Sequence, residues 1–115
     1  YEPFRFTHQG ASWVTPRLPL GTDCCDAPQQ AQTLQLLDLA AAEGRRRGYP
    51  VLVGEFGAYG QAPLPARVRY LRLMRDAIEA RGMPWMVWEL ASGFGLYDPV
   101  ARRLRPELHE ALFGA

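Results

Sequence analysis

The spacing of apolar positions divides this chain into three helical stretches separated by two short apolar runs. Leu34, Leu37 and Ala41 recur at helical spacing, with Leu36 and Ala40 broadening the stripe. The pattern predicts a helix that begins near Pro28, since proline suits a first turn. It closes at Arg45-Arg46-Arg47 between Gly44 and Gly48, where cations suit the helix macrodipole. Pro50-Val51-Leu52-Val53-Gly54-Glu55-Phe56-Gly57 then reads as a buried strand ending in one carboxylate and turning on glycine. A second helix is predicted from about Pro65 to Arg81, with Val68, Leu71, Met74 and Ile78 inward and Arg72, Arg75, Asp76 and Glu79 on the wet side. The pairs Arg72/Asp76 and Arg75/Glu79 stand four apart, a spacing that adds about 0.2–0.5 kcal/mol each. Gly82 caps this helix, and Pro84-Trp85-Met86-Val87-Trp88-Glu89-Leu90 starts a second apolar strand. A glycine-rich loop over 92–99 follows. The last helix starts near Pro106, with Leu104, Leu108 and Leu112 four apart. Ahead of all this, residues 1–13 mix aromatic and polar groups without a clean period. They read as a strand end entering a long loop that Pro16, Pro19 and Gly21 keep irregular.

The predicted order is strand end, helix, strand, helix, strand, helix. Such alternation implies right-handed βαβ crossovers and a parallel sheet, so the fold class is α/β. A doubly wound sheet and a (β/α) barrel both satisfy it. No glycine fingerprint of the dinucleotide or P-loop type joins strand to helix, which argues against the first. Tyr1, Glu55 and Trp88 all fall at strand C-terminal ends, the face on which barrels build active sites, which favours the second.

Composition removes several function classes. A net charge of +1 over 115 residues gives no reason to expect nucleic acid or an anionic membrane surface as partner. All thirteen basic residues are arginine, which reads as compositional bias. No apolar run approaches the roughly 20 residues that span a bilayer. No signal peptide is visible; the chain opens at Tyr1 without an initiator methionine, and a start further upstream is expected. Cys24 and Cys25 are adjacent, and a bridge between neighbours demands unusual local geometry. Free thiols, or one paired with a cysteine elsewhere, are therefore expected. Two cysteines do not make a zinc site, no histidine is spaced to complete one, and no metal is expected.

One carboxylate at a strand tip is costly to bury unless it is paired, solvated or used. Glycoside hydrolysis needs two carboxyl groups, and Glu55 with Glu89 is the tempting pair. Strand alternation opposes it: if Trp88 points into the barrel, Glu89 points away and serves as a polar residue at the strand exit. His8 and Trp13, in the loop after the first strand end, and Tyr59 and Gln61, just beyond Glu55, are secondary candidates for a cleft. His109 reads as a surface residue.

The stretches Tyr1-Glu2-Pro3-Phe4-Arg5-Phe6-Thr7-His8-Gln9-Gly10-Ala11, then Gly54-Glu55-Phe56-Gly57, then Trp88 with Gly93-Phe94-Gly95-Leu96-Tyr97-Asp98, resemble the C-terminal part of family 5 glycoside hydrolases, the cellulase family. The resemblance covers essentially the whole chain, in order. It implies a partial catalytic domain over residues 1–115, running from the end of strand 6 to helix 8 of a (β/α)8 TIM barrel. It implies a retaining β-glycosidase, foremost an endo-β-1,4-glucanase, acting on a β-linked polysaccharide or oligosaccharide without metal or organic cofactor. Glu55 matches the family's nucleophile, Trp88 the tryptophan that stacks beneath the sugar, and Tyr1 the tyrosine that hydrogen-bonds the nucleophile. The family's Asn-Glu motif with the acid/base is nowhere in this chain, and a whole barrel needs about 250 residues. The chain is thus expected to be inactive alone and to partner the N-terminal part of the same barrel. Secretion or periplasmic location follows by the same resemblance. Related barrel hydrolases on mannan, xylan or β-1,3-glucan, and a non-catalytic carbohydrate-binding remnant, are the alternatives.

Overall fold

Asp26 opens the longest helix. Its side chain accepts the Gln29 N–H at 2.8 Å, and the Gln29 side chain accepts the Asp26 N–H at 2.8 Å, a reciprocal capping box. The computed structural model describes residues 1–114. Within it α1 is Phe4–Thr7, α2 is Ala27–Arg47, α3 is Leu64–Glu79 and α4 is Pro106–Phe113. Gly48 ends α2 at φ 71°, a left-handed conformation that costs glycine little. Arg46 and Arg47 fold back onto Glu43, so the arginine run is the solvated helix end the pattern implied.

The middle helix is α3, packed against α2 on one side and α4 on the other. Leu71, Met74 and Ile78 are buried as predicted, joined by Ala66, Tyr70 and Ala77. Burying each large apolar side chain contributes about 1.5–3 kcal/mol. The exposed Asp38–Arg81 pair between α2 and α3, at 2.8 Å, contributes about 0.2–1 kcal/mol. Apolar contact therefore decides how the helices stack. The inward stripe of α2 is Thr33, Leu37, Ala41 and Gly44, narrower than predicted; Leu36 stays in solvent.

Several expectations are corrected. Arg75 is buried, not wet: it reaches beneath α3 to the Gly114 carbonyl at 2.8 Å and holds Asp76 at 2.6 Å. Neither predicted four-apart pair forms: Asp76 is taken by its neighbour Arg75, and Glu79 accepts the Trp85 indole N–H at 3.0 Å. Leu104 belongs to a short hairpin, β1 (Tyr97–Asp98) with β2 (Arg103–Leu104), and not to the last helix. Residues 4–7 form one helical turn where irregular chain was expected. Cys24 and Cys25 are bridged to each other, where free thiols or a more distant partner were expected.

The two predicted strands are extended segments that share a single parallel bridge, Val53 with Trp85, and neither forms a regular ladder. Val53 donates to Pro84 at 3.0 Å and Met86 to Val53 at 2.9 Å. Regular parallel pairing would next send the Trp88 N–H to Glu55; it goes to Phe56 instead, at 2.7 Å. The first segment thus carries one extra residue, in the manner of a β-bulge. Val51 and Val53 lean on the helices, and Phe56 is fully buried against them. The parity switch between Val53 and Phe56 falls on Glu55, which the extra residue turns to the open face beside Trp88.

Candidate active site

Glu55, Trp88 and Tyr1 meet in one open cleft of about 650 Å³. Tyr1 lies far from Glu55 in sequence, and α1 brings it there: the Thr7 hydroxyl donates to the Tyr1 carbonyl at 2.8 Å and ties the start of the chain over the helix. The Tyr1 hydroxyl donates to Glu55 Oε2. Partial burial first, then the hydrogen bond to Glu55 and its negative charge, raise the Tyr1 phenol well above its ordinary range. The phenol keeps its proton and so remains a donor to the carboxylate. Trp88 is half exposed and presents an open ring face to the same cleft.

The cleft's far wall is Phe94, and its placement depends on Glu89. The Glu89 carboxylate accepts the backbone N–H groups of Ala91 at 3.2 Å, Ser92 at 2.8 Å and Phe94 at 3.1 Å. Glu89 thus serves the following loop through amides and not through a salt bridge, and it lines the same cleft as Trp88, which strand alternation would not place together. Phe94, only slightly exposed, meets four other rings: Tyr1 at 6.1 Å, His8 at 5.8 Å, Trp13 at 6.3 Å and Tyr59 at 5.5 Å between centroids. Residue-by-residue reading gave Phe94 no role; an aromatic held between two glycines was the signal for it.

Of the secondary candidates, His8, Trp13 and Tyr59 do line the cleft, with Trp13 set edge-on to Tyr59 at 4.9 Å. Burial holds the His8 imidazole below its ordinary pKa, favouring the neutral ring, whose Nδ1 lies 2.8 Å from the Thr7 hydroxyl. Gln61 instead packs over Gly10. His109 is exposed on α4. Gln9, which the sequence did not single out, is fully buried and pins the loop: its amide donates to Phe6 and Thr22 carbonyls at 3.1 and 2.8 Å and accepts the Gly21 N–H at 2.8 Å. Among the described residues, no group of three or more His, Cys, Asp or Glu side chains is placed to hold a metal, and no helix is long and apolar enough to cross a membrane.

What this arrangement can do chemically is bounded by its parts. It offers one solvent-facing carboxylate held by a phenol, and a rim of flat aromatic faces suited to the C–H surface of a sugar ring. The cleft's other carboxylate, Glu89, is engaged at both oxygens by backbone amides of the following loop.

Comparison with known proteins gives a consistent result. No family model matches the chain. Endoglucanase H of Acetivibrio thermocellus is 25% identical over 120 residues, covering 98% of this chain and 12% of that protein. A solved endoglucanase superposes over 100% of the chain with a TM-score of 0.94 and 34% identity, this chain spanning 38% of its length. Thermotoga maritima Cel5A, in complex with cellobiose, gives a TM-score of 0.92 and 33% identity over 98% of this chain and 37% of its own. The chain therefore spans a little over a third of these solved enzymes, consistent with part of a (β/α) barrel. Together these likenesses support a cellulase-family fragment, similar over its whole length to part of the family 5 glycoside hydrolases.

Proposed function

We propose that these residues run from the end of strand 6 to helix 8 of a (β/α)8 barrel, and that the protein is a retaining endo-β-1,4-glucanase with Glu55 as nucleophile. The observation that carries this reading is the Tyr1–Glu55 hydrogen bond facing Trp88 across one cleft. Glu55 attacks the anomeric carbon and expels the leaving sugar, forming a covalent glycosyl-enzyme. Water then releases the product with net retention. The acid/base that protonates the leaving oxygen, and later activates that water, comes from the remainder of the barrel, with its carboxyl about 5–5.5 Å from Glu55. Tyr1 orients Glu55 and keeps one oxygen hydrogen-bonded while the other attacks. Trp88 carries the sugar at the cleavage point, and Trp13 and Tyr59 extend the apolar platform.

The exposed apolar side chains Leu52, Met86 and Leu90 share the open face with Trp88, and the rest of the barrel is the partner that covers them. A polymeric substrate implies action outside the cytoplasm, by secretion or in the periplasm. A second substrate, mannan, has support from one relative: Thermotoga maritima Cel5A has also been solved with mannotriose.

Reducing-sugar release from carboxymethylcellulose tests the proposal. In the complete enzyme Glu55→Ala abolishes release, and azide partly restores turnover by entering the vacated space as an external nucleophile. Activity unchanged by the substitution removes Glu55 from the role. Residues 1–115 alone show no turnover; measurable turnover would mean that the acid/base lies within this chain after all, or that the site is a different one.

A further inference from the structure

A second cavity, of about 250 Å³, lies behind the Phe94 loop and opens beside the N-terminus of α3. Its polar side chains are Arg67, Arg105 and Ser92, and no acidic side chain lines it. Arg67 is 6% exposed. One terminal nitrogen, Nη2, donates to the Phe94 carbonyl at 2.8 Å, but Nε is buried with no partner. A guanidinium has five N–H donors and no acceptor, so this one is under-satisfied where desolvation is most costly. Arg105 gives Nη1 to Asp98 at 3.0 Å, outside the cavity lining. Pro63, at the N-cap of α3, supplies no side-chain cap to the positive end of a sixteen-residue helix.

Two guanidiniums that face one cavity without a carboxylate between them repel each other. Burial, and secondarily the charge of Arg105, push Arg67 down to about 10. A resident anion would reverse both effects. The volume suits a small tetrahedral oxyanion with a few waters, since a water's share of liquid is about 30 Å³. Gly60, Gly93 and Gly95 complete the wall; the Gly60 and Gly95 N–H groups are already given to the Gly93 and Ser92 carbonyls, so the two guanidiniums and the Ser92 hydroxyl are the side-chain donors left to an anion. We propose that this cavity binds a small tetrahedral oxyanion, sulfate or phosphate, between Arg67 and Arg105. The site is separate from the catalytic cleft, from which the 92–95 loop divides it, and it does not depend on the glycosidase reading. Its consequence reaches the cleft because the same loop carries Phe94.

The test is a titration of the protein with inorganic phosphate at constant ionic strength, read by amide and Arg Nε–H resonances. The expected result is saturable shifts at Gly93, Gly95 and the Arg67 Nε–H, absent with sodium chloride, and at least tenfold weaker binding in Arg105→Gln. Arg67→Lys also weakens binding, but it releases the Phe94 carbonyl and can unfold the loop, so Arg105→Gln, on a partly exposed residue, is the deciding variant. A second arm compares inorganic sulfate with a sulfated cello-oligosaccharide. Tighter binding of the latter assigns the oxyanion to a substituent of the polymer, and equal binding assigns it to the free ion. Shifts that rise linearly, that chloride reproduces, or that Arg105→Gln leaves unchanged would overturn the proposal.

Discussion

Gly54 and Gly57 flank the proposed nucleophile and look equivalent in sequence, yet the structure assigns them opposite sensitivity. A Cβ built on Gly57 falls 1.9 Å from the Trp88 carbonyl oxygen and 3.4 Å from a Phe94 ring carbon. Nothing lies within 4 Å of one built on Gly54. In Gly57→Ala the two backbones must part by about 1 Å or more before the overlap is relieved. Such overpacking costs about 1–3 kcal/mol. The Trp88 N–H bond to Phe56, 2.7 Å long and adjacent to the clash, is lost as well, adding about 0.5–1.5 kcal/mol. The expected destabilisation is about 2–4 kcal/mol, or a fall in Tm of roughly 10–20 °C for a domain near this size. Gly54→Ala should stay within about 0.5 kcal/mol of the parent. Thermal melts of both variants, followed by far-ultraviolet circular dichroism and tryptophan emission, make the comparison. If Gly57→Ala melts with the parent and leaves the emission unchanged, the close approach of the two segments is not as described. The positioning of Trp88 would then need another account.

Other consequences are open to measurement. Glu89→Gln removes the charge from an acceptor serving three amides; hydrogen exchange at Ser92 and Phe94 should accelerate at least about tenfold, since bonds to a charged group contribute about 1.5–3 kcal/mol, and unchanged exchange would deny Glu89 its hold on the loop. Tyr1→Phe in the complete enzyme should lower kcat/KM about 10- to 100-fold for the same energetic reason, with little change in Tm because the pair is exposed; equal kcat/KM would leave Tyr1 without a role in positioning Glu55. Burial raises Tyr70, and burial with the Glu55 contact raises Tyr1, so both hold their protons in the fold at a pH where the unfolded chain has released them. Stability from this source is complete below the ordinary tyrosine value of about 10 and declines as pH rises beyond it; denaturant midpoints above about pH 10 should fall in parent protein and fall less in Tyr1→Phe.

The sequence determined the three long helices to within about two residues, though not the helical turn at 4–7, because each long helix is written in local chemistry. Asp26 with Gln29 starts α2, Gly48 stops it, and the apolar spacing of Leu71, Met74 and Ile78 is a property of neighbours along the chain. The three candidate residues that meet in the cleft stood out for a related reason: a charge closing an apolar run, and aromatics at run ends, are uncommon enough to draw notice. What tertiary structure alone decided depends on atoms distant in sequence. Whether Arg75 is wet or buried turns on a carbonyl at Gly114, and the use of Glu89 turns on how the next loop folds back. Strand periodicity by itself would place Glu55 with Val51 and Val53, against the helices. The one-residue offset set by the Trp88–Phe56 hydrogen bond turns it to the cleft, and such an offset is fixed by pairing between segments, which no run of residues specifies alone.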